Sequence, residues 1–103
     1  MNLSIVYCEQ CFRNLKEWGE LAELIYEHVC EFYVLNQMPL LVPDNFSYFL
    51  HGFSETIKFL ESKKYIVTTE FSKDKIRIRP TGIFIDDHDG VLDWHFCAQS
   101  CCS

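Results

Sequence analysis

Glycine and proline are scarce in this 103-residue chain. The four glycines (Gly19, Gly52, Gly82, Gly90) stand alone, and the three prolines fall at Pro39, Pro43 and Pro80. Without clustered glycines there is no loop to cradle a phosphate or a dinucleotide. No apolar run approaches the roughly 20 residues that cross a bilayer as a helix, and no basic stretch leads into a short apolar one at the start. These absences predict a cytoplasmic protein that does not enter membranes. Repeats and low-complexity tracts are also missing, so one domain over 1–103 is expected. Positive charge is in short supply, nine Lys and Arg against fifteen Asp and Glu, a net charge of −6 that disfavours nonspecific affinity for nucleic acid. His28, His51 and His88 are scattered with no accompanying nucleophile pattern. A non-enzymatic protein follows.

What the chain does have is cysteine, and it is concentrated at the ends. Cys8 and Cys11 form a C-x-x-C near the start, and His95, Cys97, Cys101 and Cys102 crowd the finish, with Cys30 alone between them. In a reducing compartment such spacing points to metal rather than to disulfides. A C-x-x-C places two thiolates on one metal, and two more from the tail complete a tetrahedral zinc shell. The expected ligands are Cys8, Cys11, Cys97 and Cys101, with His95 and Cys102 as alternates. Four protein ligands leave no open position, so the zinc is read as structural. A dithiol redox centre uses the same C-x-x-C, but the thioredoxin-like βαβ pattern around it is missing. Cys30, amid Tyr26, Val29 and Tyr33, reads as core.

With 49% apolar and 16% aromatic residues the composition is that of a packed globule. Leu3 to Tyr7 reads as a strand delivering the first two ligands. Asn14 and Glu17 have capping-box spacing, which starts a helix there. Leu15, Trp18, Ala22, Ile25, Val29 and Phe32 then line one face to about Asn36. The segment from Met38 to Pro43 reads as an apolar loop. Asp44 is the cap of a second helix through Phe46, Phe49, Leu50, Phe53, Ile57 and Leu60 to about Lys63, with a break near Gly52 and Ser54 available to cap a fresh start. From Tyr65 the period changes to two. Tyr65 to Phe71, a Ser-Lys-Asp turn, and Lys75 to Arg79 form a hairpin with Ile76 and Ile78 on one face and Lys75, Arg77 and Arg79 on the other. A turn at Pro80-Thr81-Gly82 leads to Ile83-Phe84-Ile85. Asp86 to Gly90 reads as a solvated acidic turn closed by Asp89-Gly90, since an EF-hand would need acids where Ile85 and Phe96 stand. The last strand is Val91 to Phe96. The fold class expected is α+β: two or three helices on a small antiparallel sheet, with a zinc knuckle joining the termini.

Charge is segregated along the chain. Between Glu9 and Glu31 six acids face only Arg13 and Lys16, a net −4, while between Lys58 and Arg79 seven bases face Glu61, Glu70 and Asp74, a net +4. Glu20, Glu23, Glu27 and Glu31 recur at helical spacing as an acidic stripe. Such a stripe fits a protein partner, as in an adaptor or an inhibitor that covers a positively charged target in the manner of small immunity proteins.

The stretch Ser54 to Val67 followed by Asp74 to Gly82, a helix ending in leucine, a turn and a two-stranded hairpin closing before Thr81-Gly82, resembles the recognition helix and wing of a winged-helix domain over about residues 53–82. The resemblance implies a wing that touches DNA or a protein through Lys73, Lys75, Arg77 and Arg79. The helix itself offers Lys58, Lys63 and Lys64 as its bases, whereas groove-reading helices carry Arg, Asn or Gln toward the bases. A protein-binding use of the module suits the acidic chain better.

Overall fold

The computed structural model describes residues 2–43, 52–72 and 75–98. In chain order these form β1 (Asn2–Tyr7), α1 (Glu9–Trp18), α2 (Glu20–Asn36), β2 (Leu40–Pro43), α3 (Phe53–Ser62), β3 (Ile66–Ser72), β4 (Lys75–Pro80), β5 (Ile83–His88) and β6 (Val91–Phe96). The class is α+β, as the sequence indicated, but the strands divide into two three-stranded sheets. The first, β1-β6-β5, is mixed: β1 runs parallel to β6, and β5 antiparallel to it. The second, β2-β4-β3, is antiparallel.

α2 lies between them. Its Ala22, Ile25, Tyr26, Val29, Cys30 and Val34 are buried. Tyr26 meets Tyr65 edge-on at 5.3 Å between ring centroids, and Tyr7 of the first sheet at 6.2 Å. Tyr33 stands edge-on to Trp94 of β6 at 6.2 Å. One apolar cluster therefore joins both sheets and includes Leu15 of α1, Leu60 of α3, Ile78 of β4 and Phe96 of β6. Each such side chain removed from water contributes about 1.5–3 kcal/mol. Cys30 is fully buried in this cluster, as its neighbours in sequence suggested, and burial pushes its thiol pKa up.

Several local expectations need correction. Helix formation begins at Glu9, not Asn14. Asn14 lies inside α1, where its Oδ1 accepts a hydrogen bond from Gln10 at 3.1 Å. The helix then breaks at Gly19, whose φ of 125° and ψ of 162° suit glycine and almost nothing else, and α2 starts afresh. The apolar face nonetheless continues across the break, because Leu15, Ala22, Ile25 and Val29 are all buried. Leu40–Pro43, expected as loop, is a strand because it completes the hydrogen bonding of β4. α3 begins at Phe53 with Gly52, in a left-handed conformation, as its N-cap in place of Ser54, and the helix expected before Gly52, with its break, lies outside the described residues. The expected cap at Asp44, and the helical positions Phe46, Phe49 and Leu50, lie outside the described residues. The acidic turn shrinks to Asp89-Gly90, with Asp86, Asp87 and His88 in β5.

Candidate metal centre

Two backbone arrangements bring the cysteines together. At the end of β1 the parallel ladder pairs Tyr7 with Phe96, and the amide of Cys8 donates to the Phe96 carbonyl at 3.1 Å. Because parallel strands finish at the same end of a sheet, Cys8 and Cys97 leave β1 and β6 side by side. Immediately after β1 the chain turns into α1 with Cys8 as N-cap, and Cys11 follows one turn in. The expected knuckle is thus the first turn of a helix, an end that favours negative charge. The ligand atoms of Cys8, Cys11 and Cys97 all lie within 4.8 Å of one another, the first two buried and the third half-buried. Thiolates about 2.3 Å from a shared zinc stand roughly 3.8 Å apart, so the three sulfurs lie close enough together to hold a metal ion.

Neighbouring groups fix this geometry. Tyr65, fully buried, donates its hydroxyl to the Cys11 carbonyl at 3.0 Å and so ties the start of α1 to the end of α3. Cys97 donates its amide to the Gly82 carbonyl at 3.0 Å. Gly82 has a φ of 64°, and a Cβ there would overlap the Cys97 carbonyl oxygen and stand 2.7 Å from its carbon. Thr81 holds the same turn by donating its hydroxyl to the Lys64 carbonyl at 2.6 Å. Neither Tyr65 nor Gly82 was singled out for the site from sequence, since nothing in local spacing relates them to cysteines so far along the chain.

The remaining candidates fall in different places. Cys101 and Cys102 lie outside the described residues. His95, the alternate ligand, points to the other face of the first sheet: it alternates with buried Trp94 and Phe96, its ring lies 5.7 Å from that of Phe84, and it groups with Asp86 and Asp93 rather than with the cysteines. On α2, Glu20 and Glu31 are exposed, while Glu23 and Glu27 are half-buried. Burial, and then the charges of Glu23 and Glu31, hold the Glu27 carboxyl above the usual glutamate range. Lys75, Arg77 and Arg79 are exposed on one face of β4, opposite half-buried Ile76 and buried Ile78. Lys73 lies outside the described residues. Among the described residues no helix is long and apolar enough to cross a membrane.

No family model, curated protein or solved structure matches the chain.

Proposed function

We propose that this chain is a small, non-enzymatic, zinc-stabilised interaction module of the cytoplasm, an adaptor or an inhibitor of a basic protein target. The observation that carries the zinc reading is the convergence of Cys8, Cys11 and Cys97 from opposite ends of the chain onto one point. Three thiolates select a soft or borderline ion. Cys101, or Cys102 in its place, is the fourth ligand in this reading, closing the shell and making the metal structural. The acidic stripe of α2 supports the partner reading: Glu27 keeps two acidic neighbours on its helix despite their repulsion. A basic partner relieves that repulsion and is steered by it.

Elemental analysis of protein purified without added zinc, read beside native mass spectrometry, tests the metal. One zinc per chain is expected, lost on Cys8→Ser or Cys97→Ser. A folded, metal-free protein that binds no added zinc overturns the reading. For the stripe, replacing Glu23, Glu27 and Glu31 with Gln abolishes capture of a basic partner while leaving the fold intact.

A second reading, a winged-helix-like regulator that binds nucleic acid, is favoured by one observation. The hairpin β3–β4 follows α3 directly and is completed by β2 into a sheet of order β2-β4-β3, whose central strand exposes Lys75, Arg77 and Arg79. This reading expects salt-sensitive DNA binding that falls when Arg77 and Arg79 become Ala. The adaptor reading expects indifference to both changes.

A further inference from the structure

The outer face of the β1-β6-β5 sheet carries a group of side chains that the cysteine centre does not use. Asp86 and Asp93 stand directly opposite each other in the β5–β6 register, and His95 follows two residues after Asp93 on the same face. One ligand atom from each of the three lies within 4.8 Å of the others. Like charges directly opposed across antiparallel strands are destabilising. The strands of this sheet supply no Lys or Arg to offset them, which leaves histidine as their cationic partner. His88 also stands on this face, two residues from Asp86, with its Nε2 2.6 Å from Asp93 Oδ2. Asp93 and His95 are half-buried, Asp93 with a fifth of its side chain exposed, while Asp86 and His88 are exposed, so the group opens to solvent on the β5 side and is partly desolvated on the β6 side.

We propose that Asp86, Asp93 and His95 form a second metal site, for a first-row divalent cation of the zinc type, with His88 orienting Asp93. Two carboxylates and an imidazole give a mixed oxygen and nitrogen donor set, and the imidazole selects transition ions over calcium or magnesium. A cation at the centre of the three cancels the Asp86–Asp93 repulsion that the register enforces. Oxygen and nitrogen ligands about 2.0–2.2 Å from zinc stand roughly 3–4 Å apart, which rotation of these side chains reaches without moving the strands. His88 on Asp93 is the outer contact that ligating carboxylates commonly have. Three protein ligands leave a coordination position for water, in contrast to the closed set proposed for the cysteines.

Zinc titration of the protein as purified, followed by calorimetry and by NMR of the imidazole nitrogens, tests the proposal independently of the cysteine centre. The expected result is a binding event that shifts His95 in the wild type and is abolished in His95→Ala and in Asp93→Asn, with the cysteine-bound metal unchanged by native mass spectrometry. Loss of an orienting contact weakens ligation by about 10-fold or more, so His88→Ala should retain the His95 shift at correspondingly higher zinc. No His95 shift in the wild type overturns the site. So does a shift that persists unchanged in Asp86→Asn and Asp93→Asn, because it would then report only metal at nearby Cys97.

Discussion

Gly82 shows how much can depend on one absent atom. Its positive φ and the close passage of the Cys97 backbone both exclude a Cβ, so Gly82→Ala must displace the turn that sets Cys97 beside Cys8. The expected loss is about 1–3 kcal/mol of stability, with zinc held more weakly, read from denaturant midpoints with and without added metal. Gly90→Ala is the informative comparison, since a Cβ there meets nothing within 4 Å although its φ of 77° is also positive. A Gly82→Ala protein no worse than Gly90→Ala, and with unchanged zinc affinity, would sink the argument. Tyr65 acts on the same site from the other side. Tyr65→Phe keeps the ring contacts with Trp18 and Tyr26 but removes the hydrogen bond to Cys11. The Cys11 carbonyl, inside α1, keeps its helical partner, so the loss is that of one hydrogen bond, about 0.5–1.5 kcal/mol, expected as a lowered thermal midpoint at unchanged secondary-structure content.

At the scale of elements, the helices reveal what periodicity carries and what it omits. The apolar spacing from Leu15 to Val29 identifies the buried face correctly, yet it runs through Gly19 without registering the break, because the two helices present the same face to one core. The α2 stripe carries its own prediction. Glu27 has its carboxyl pKa raised above the ordinary 4.5 by burial and by Glu23 and Glu31. The folded state therefore holds this proton more tightly than the unfolded chain, and stability falls as pH rises through the ordinary value toward the raised one. Glu27→Gln should stabilise the protein at neutral pH by a few tenths of a kcal/mol, and this gain should vanish below pH 4.5. Urea midpoints at the two pH values decide it, and a gain that survived in acid would assign the effect to something other than charge. The register of the β5–β6 hairpin is encoded locally. Counting outward from Asp89-Gly90 pairs His88 with Val91, Asp87 with Leu92 and Asp86 with Asp93, which is the register found. The outer-face group of acids and histidines follows from that count, once Asp86 to His88 are taken as strand and not turn.

Across the whole molecule, the first sheet is built from both ends of the chain: β1 is N-terminal, β5 and β6 C-terminal, and Cys8 and Cys97 sit at the shared end of the parallel pair. The second sheet, with α2 and α3 packed against it, is assembled from the middle. Removing the metal proposed for the cysteines should therefore loosen the molecule unevenly, with chelator raising hydrogen exchange in β1 and β6 before it does so in β3 and β4. Uniform acceleration would place the metal's contribution in the whole fold, and no acceleration would argue against a staple. The amino-acid sequence by itself determined the α+β class, the identity of most strands, the buried cysteine among aromatics, the basic and acidic faces, and the pairing of Cys8 with Cys11, because each of these depends on spacing within about a dozen residues. Only the tertiary structure decided that β1 lies parallel to β6, that Cys97 therefore joins the first two cysteines while His95 faces away, that the strands form two sheets, and that Gly82 and Tyr65 hold the site. Those facts depend on which distant segments share a core, and no local pattern of residue types encodes a parallel register between the two ends of a chain.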